Sequence, residues 1–108
     1  MSQKDILLEI LATYKKHAWT LRRVLLTTDA QQTFSDRSAF GDAGVETSTI
    51  NALWFSRPSH EKREAWELRL VSENPYALFE TFESDETEEQ REEMRQEMEA
   101  RMREYATE

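Results

Sequence analysis

Three consecutive large apolar residues, Leu53-Trp54-Phe55, constrain the fold of this chain more than any other feature. They lie within residues 50–57, which indicate a β-strand because the run is short and rich in bulky side chains. Neighbouring side chains of a strand point to opposite faces, so both faces of this strand are apolar and both need cover. One helix covers one face. The other face needs the C-terminal helix, a dimer partner or another protein.

Two further strands are predicted downstream. Residues 65–71 alternate between apolar side chains in one phase and Glu67 and Arg69 in the other. A polar, proline-containing connector separates them from residues 50–57, which predicts an antiparallel hairpin. A Ser-Glu-Asn-Pro turn signal follows, and residues 76–82 alternate again as the next arm of the sheet.

The N-terminal half is less regular. Residues 3–16 carry apolar side chains at helical spacing and predict an amphipathic helix that Ser2 caps. The next residues favour a strand at 19–27, because Trp, Thr and Val are common in sheets, but one long helix from 3 to 28 remains an alternative. Residues 29–49 are polar, hold both glycines and predict a loop with one short helix.

The negative charge is concentrated at the C-terminus. Residues 1–79 contain ten acidic and ten basic side chains, whereas residues 80–108 contain twelve acidic and four basic ones. Acids early in the run and a capping pattern predict a helix over 86–106. The sequence thus predicts an α+β fold: a globular body (1–83) with three or four mainly antiparallel strands, and an acidic helix (84–108) packed on the body or overhanging it.

The C-terminal helix carries Met94, Met98, Met102 and Tyr105 in one stripe. Methionine adapts to irregular surfaces, both in cores and at binding faces. The stripe is therefore open to two interpretations: a contact with the chain's own sheet, or a surface for a protein partner or a second copy. We take these four residues, together with Trp54 on the sheet, as candidate partner-binding residues.

A small-molecule site is the second possibility. The strand aromatics can form a core or a ligand box, with Arg57, Arg69 and His60 as the polar side chains that contact the ligand. These three are candidate ligand-binding residues. The aromatics of this set are Trp54, Trp66, Phe79 and Phe82.

Several functional classes find no support in the sequence. There is no cysteine, so disulfides and thiolate chemistry are excluded, and the two histidines have no carboxylates at metal-ligand spacing. No catalytic residue, metal or cofactor is predicted. A neutral body with an acidic tail makes nucleic-acid binding unlikely, and the absence of an apolar span or leader favours a soluble cytoplasmic protein.

A non-enzymatic interaction or accessory domain is the function we expect. The alternatives are a small-molecule-binding protein or enzyme that uses the aromatic sheet face, and a homodimer whose sheets or terminal helices cover each other. A concave pocket lined by the ligand candidates would favour the former, and concentration-dependent sedimentation the latter.

The predicted hairpin region also resembles small bacterial proteins of uncharacterised function. The similar segments are Ala52–Ser59, Glu64–Arg69 and Pro75–Phe79, with Trp19–Leu26 as a weaker addition. The resemblance covers roughly residues 50–82 and points to no named family. It implies the hairpin and assigns no activity or site residue.

Overall fold

The computed structural model describes residues 2–107; Met1 and Glu108, the outer ends of the two predicted segments, lie outside the described residues. The described chain is α+β, as predicted, with a sheet of five strands where three or four were expected. In chain order the elements are α1 (Gln3–Lys16), β1 (Thr20–Leu26), α2 (Thr28–Thr33), a 3-10 turn (Ser38–Phe40), β2 (Gly44–Thr47), β3 (Ala52–Pro58), a second 3-10 turn (His60–Lys62), β4 (Glu64–Leu70), β5 (Ala77–Phe82) and α3 (Glu88–Ala106).

The first helix forms as its sequence predicts. The side chain of Ser2 accepts the backbone N–H of Asp5 and caps α1. Leu7 and Ile10 are buried against the sheet, so the apolar stripe is a core contact. The helix ends at Lys16 with His17 as its C-cap, and the following Ala18 takes a left-handed conformation (φ 67°) that turns the chain into β1.

Strand β1 confirms the strand interpretation and excludes the long helix. Its second half, Val24 to Leu26, is buried at every position, which fits a strand with neighbours on both sides and cover on both faces. The register against β3 shifts between Leu21 and Arg23, so Arg22 forms a bulge and donates to the Ser56 hydroxyl.

The polar segment 29–49 holds a strand that the sequence did not indicate. Strand β2 runs parallel to β1, with Val45 opposite Val24, and forms one edge of the sheet. It is only four residues long and has a single large apolar side chain, so it shows no alternation. The predicted short helix is present as α2, capped by Thr27.

The remaining strands form the predicted meander. Strand β3 pairs antiparallel with β4, and β4 pairs antiparallel with β5, which gives the sheet order β2-β1-β3-β4-β5. Strand β3 therefore lies in the centre, where its residues Ala52 to Ser56 are all buried. The strand with two apolar faces occupies the position that has cover on both sides.

Helix α3 supplies the second cover. Thr87 and Gln90 form a reciprocal capping box at its start. From there the helix crosses the face of the sheet opposite α1 and buries Met98 and Met102. Of the three covers considered for that face, the C-terminal helix is the one the structure contains.

Candidate protein-interaction surface

Strand β5 is the open end of the sheet. Leu70 N–H donates to Tyr76 O, and antiparallel pairs alternate between bonded and non-bonded positions. The next positions on β5 that bond to β4 are therefore Leu78 and Glu80. The backbone N–H and C=O groups of Ala77, Phe79 and Thr81 point away from β4. We call these last three residues the β5 edge.

The β5 edge also lacks cover on the face of the sheet that bears α1. Phe79 lies opposite Glu67 on that face, and it is 58% exposed, more than either of the other two exposed large apolar residues. The hydroxyl of Tyr14 on α1 donates to the Glu67 carboxylate, so α1 reaches as far as β4. No residue of β5 belongs to the core beneath α1 among the residues that the structure describes.

A second aromatic group lies at the beginning of β5. The rings of Tyr76 and Tyr105 are parallel, with centroids 3.6 Å apart. Tyr105 is exposed on the last turn of α3, and Tyr76 packs on the edge of the core beneath that helix. Tyr105 is thus the one predicted partner-binding residue that the structure places at an accessible surface next to β5.

The other predicted partner-binding residues have a different location. Trp54, Met98 and Met102 are buried in the chain's own core, and Met94 packs partly buried beside them. At these four positions the structure shows a contact within the chain, because the methionine stripe completes the core over β3 and β4, and a partner contact there stays a prediction.

Charged side chains hold α3 in place at the rim of that core. Arg23 on β1 donates two hydrogen bonds to Glu92, which lowers the pKa of that carboxyl to about 2. Arg95 is buried, stacks 4.1 Å above the Trp66 ring and bonds to Glu88 and Glu92. These groups are occupied with each other, so we assign them to docking of the helix.

One carboxylate is enclosed between helix and sheet. Glu99 accepts a 2.8 Å hydrogen bond from the indole N–H of Trp54, and Arg103 lies 3.9 Å from its other oxygen. Burial raises the pKa of Glu99 above its ordinary value. The bond satisfies a buried tryptophan donor and gives the carboxylate a structural role.

The predicted ligand residues are only partly brought together. Arg69 lines a cleft of about 440 Å³ between α1 and the β4–β5 loop, together with Ile6, Ile10, Tyr14 and Pro75. Arg57 lines an adjoining cleft of about 360 Å³ that shares Tyr14, and its guanidinium stacks 4.4 Å from the Trp19 ring.

Tyr14 separates the two clefts and is not a ready proton donor. Burial is the main cause that raises the pKa of Tyr14, and its hydrogen bond to Glu67 adds to the shift. His60 lies apart from both clefts, exposed in the turn between β3 and β4. Arg57 and Arg69 therefore line two adjoining clefts, and His60 lines neither of them.

The comparisons with known proteins give no relative from which to transfer a function. No family model, no curated protein and no solved structure matches this chain. Between residues 2 and 107, no group of three or more His, Asp or Glu side chains is placed to hold a metal ion. Over the same residues, no helix has the length and apolarity needed to cross a bilayer.

The sequence places Phe79 in one set with three other strand aromatics, but its exposure to solvent differs from theirs. Trp54, Trp66 and Phe82 are buried, whereas Phe79 is exposed. A signal was present, because Phe79 stands in the opposite phase of β5 from Leu78 and Phe82. Side chains in that phase are exposed because β5 lies at the end of the sheet, beyond the reach of α1.

Proposed function

We propose that this chain is a non-enzymatic protein-interaction domain, in which an extended segment of another protein adds to the sheet at the β5 edge. The observation that carries the proposal is the combination of outward backbone groups and an exposed Phe79 on the same strand. Backbone pairing supplies affinity in strand addition, and side-chain contacts at alternate positions supply specificity.

An exposed edge strand is costly to leave open, which supports a role for it. Edge strands invite pairing with other chains, and proteins commonly protect them by shortening, bulges or cover. Strand β2, the other edge, is short. Strand β5 has six residues and is covered on the α3 face only, where Leu78 and Phe82 pack into the core.

A second copy of the chain is the less suitable occupant. The whole chain carries a formal net charge of −8, and Glu80 lies within β5 itself. Two copies paired antiparallel through this strand, in the register that aligns Glu80 with itself, would place the two Glu80 side chains opposite each other. Like charges across paired strands are destabilising, so we commit to a segment of a different protein.

Selection of displayed peptides tests the proposal. Nine-residue peptides selected on the intact protein should shift the amide resonances of Ala77, Phe79 and Thr81. Their Kd should rise at least about tenfold in Phe79→Ser, as expected for loss of an aromatic anchor, and in Ala77→Pro, which removes an outward N–H that an edge strand can spare.

The matched control is Leu8→Ser, which removes an exposed apolar side chain on α1. Peptide affinity should be unchanged in that variant. Peptides that bind the β5-edge variants and the control equally well would contradict the proposal.

A small-molecule-binding function is the second candidate, and the cleft beside Arg69 is the observation that favours it. Its volume of about 440 Å³ falls within the range of ligand pockets, and its walls combine apolar side chains with the Arg69 guanidinium and the carboxylates of Glu9 and Glu73. A fragment screen by NMR should find saturable binders that Arg69→Gln abolishes and that Arg37→Gln, on the exposed α2–β2 connection, leaves unaffected. Binders indifferent to Arg69 would remove this candidate.

A further inference from the structure

We infer that the segment recognised at the β5 edge is basic, and that Glu80 acts as the element that selects for positive charge. This inference rests on the proposed function, because it names the kind of partner that the same edge accepts. Two independent observations carry it: the charge around the strand, and a hydrogen bond that Glu80 makes at the edge.

The stretch of chain that contains β5 is acidic. Between Arg69 and Arg91 the chain contains seven acidic side chains and no lysine or arginine. Glu83 is in an ion pair with Arg63, and Glu88 with Arg95. Arginines border this stretch as well, since Arg69 on β4 lies opposite Ala77 and Arg91 lies 5.8 Å from the Phe82 ring. The acidic excess of the stretch itself attracts a basic segment and repels an acidic one.

Glu80 also protects the edge directly. Its carboxylate accepts a 3.1 Å hydrogen bond from the backbone N–H of Thr81, which is one of the outward groups of the β5 edge. In the free protein this donor is thus satisfied by the neighbouring side chain. An incoming strand has to displace the carboxylate before one of its carbonyl groups can accept a hydrogen bond from the Thr81 N–H.

A cation on the incoming strand makes this exchange favourable. A lysine or arginine that pairs with the Glu80 carboxylate draws it away from Thr81, and the freed N–H then donates to a carbonyl of the incoming strand. Every donor and acceptor keeps a partner, and the new pair is charge-assisted. A neutral strand leaves the displaced carboxylate to water, without that charge-assisted bond, so it binds less well.

Three matched peptides test the inference on the intact protein. They share a nine-residue alternating Thr-Val framework and differ only at three polar positions, which are all Lys, all Gln or all Glu. Binding is followed by NMR titration of the Ala77, Phe79 and Thr81 amides at low and at physiological salt. The Lys peptide should bind about tenfold more tightly than the Gln peptide, with the difference falling as salt screens it. The Glu peptide should be weakest.

Two variants separate Glu80 from general charge. Glu80→Gln should reduce the Lys-to-Gln affinity ratio toward one, whereas Glu93→Gln, which removes the same charge from an exposed position on α3, should preserve the ratio. Equal binding of the three peptides at the β5-edge amides, or an unchanged ratio in Glu80→Gln, would overturn the inference and leave the proposed function intact. If none of the peptides shifts these amides, or if the free protein shows concentration-dependent shifts there from a second copy, both fail.

Discussion

The two faces of the sheet are covered to different extents. Helix α3 closes one face from β1 to β5, where Leu25, Trp54, Leu68 and Phe82 form a continuous core with the methionines. Helix α1 covers the other face only over β1 and β3, and its reach ends at β4 through the bond from Tyr14 to Glu67. Burial therefore explains the stability of the first face, and the gap on the second is where we propose that a partner binds.

Removing the cover of the closed face should have the largest effect. A chain that ends at Ser84 loses α3 and exposes Trp54, Trp66 and Phe82, which are all buried in the intact protein. The fragment should lose cooperative unfolding and its near-ultraviolet circular dichroism, because one of its two cores is then in water. A fragment with native dispersion in its NMR spectrum would show that the sheet does not need α3.

A smaller change on the same face tests the methionine stripe. Met98→Ser with Met102→Ser should lower the free energy of unfolding by at least about 4 kcal/mol, since each change leaves a cavity and buries a hydroxyl. Urea denaturation measures this loss. A decrease below about 1 kcal/mol, the usual limit for exposed sites, would contradict the burial of the stripe.

The ion pair at the rim of the closed face should make part of its stability pH-dependent. The pKa of Glu92 is about 2 in the folded chain, below its ordinary value, so its contribution is present at neutral pH and is lost as pH falls from about 4.5 toward 2. Glu92→Gln should cost about 1 kcal/mol at pH 7, a figure reduced for solvent screening, and close to nothing at pH 2.

Glu97→Gln is the control for that prediction. Glu97 pairs with Arg101 on the exposed side of α3, and such pairs contribute about 0.3–0.5 kcal/mol. Urea denaturation at pH 7 should show a larger loss for Glu92→Gln than for Glu97→Gln, and the loss for Glu92→Gln should shrink as the pH is lowered to 2. Equal profiles would remove the role assigned to the pair of Arg23 and Glu92.

The open face should tolerate substitution. Phe79→Ser should change the free energy of unfolding by no more than about 0.5 kcal/mol, because the side chain is mostly in water already. The same urea experiment measures it, with Leu68→Ala on the opposite face expected to cost about 2–5 kcal/mol. A loss at Phe79 as large as at Leu68 would mean that something covers the β5 edge in solution.

Much of the fold follows from local patterns. Alternation predicted β4 and β5, and the Leu53-Trp54-Phe55 run predicted a strand with two covers. Ser2 marked the start of α1, and a capping pattern before the acidic run marked the start of α3 to within two residues. Strand β2 could not be predicted, because its pairing with β1 depends on a contact distant in sequence and its one large apolar residue makes no pattern.

The candidate surface was harder to predict than the fold. A methionine stripe has the same spacing whether it meets its own sheet or a partner, so sequence alone could not decide between them. Phe79 looks like the buried aromatics around it until the strand order places β5 at the edge. Exposure at these positions depends on which elements are neighbours, and that information is absent from local periodicity.

Amide hydrogen exchange along β5 tests the difference between the two faces most directly. In the free protein, the outward N–H groups of Ala77 and Phe79 should exchange quickly, and the inward N–H groups of Leu78 and Glu80, bonded to β4, should be protected. Such alternation is the result that an open β5 edge predicts. Protection of Ala77 and Phe79 equal to that of Leu78 would show the edge already paired or covered, and would contradict the account.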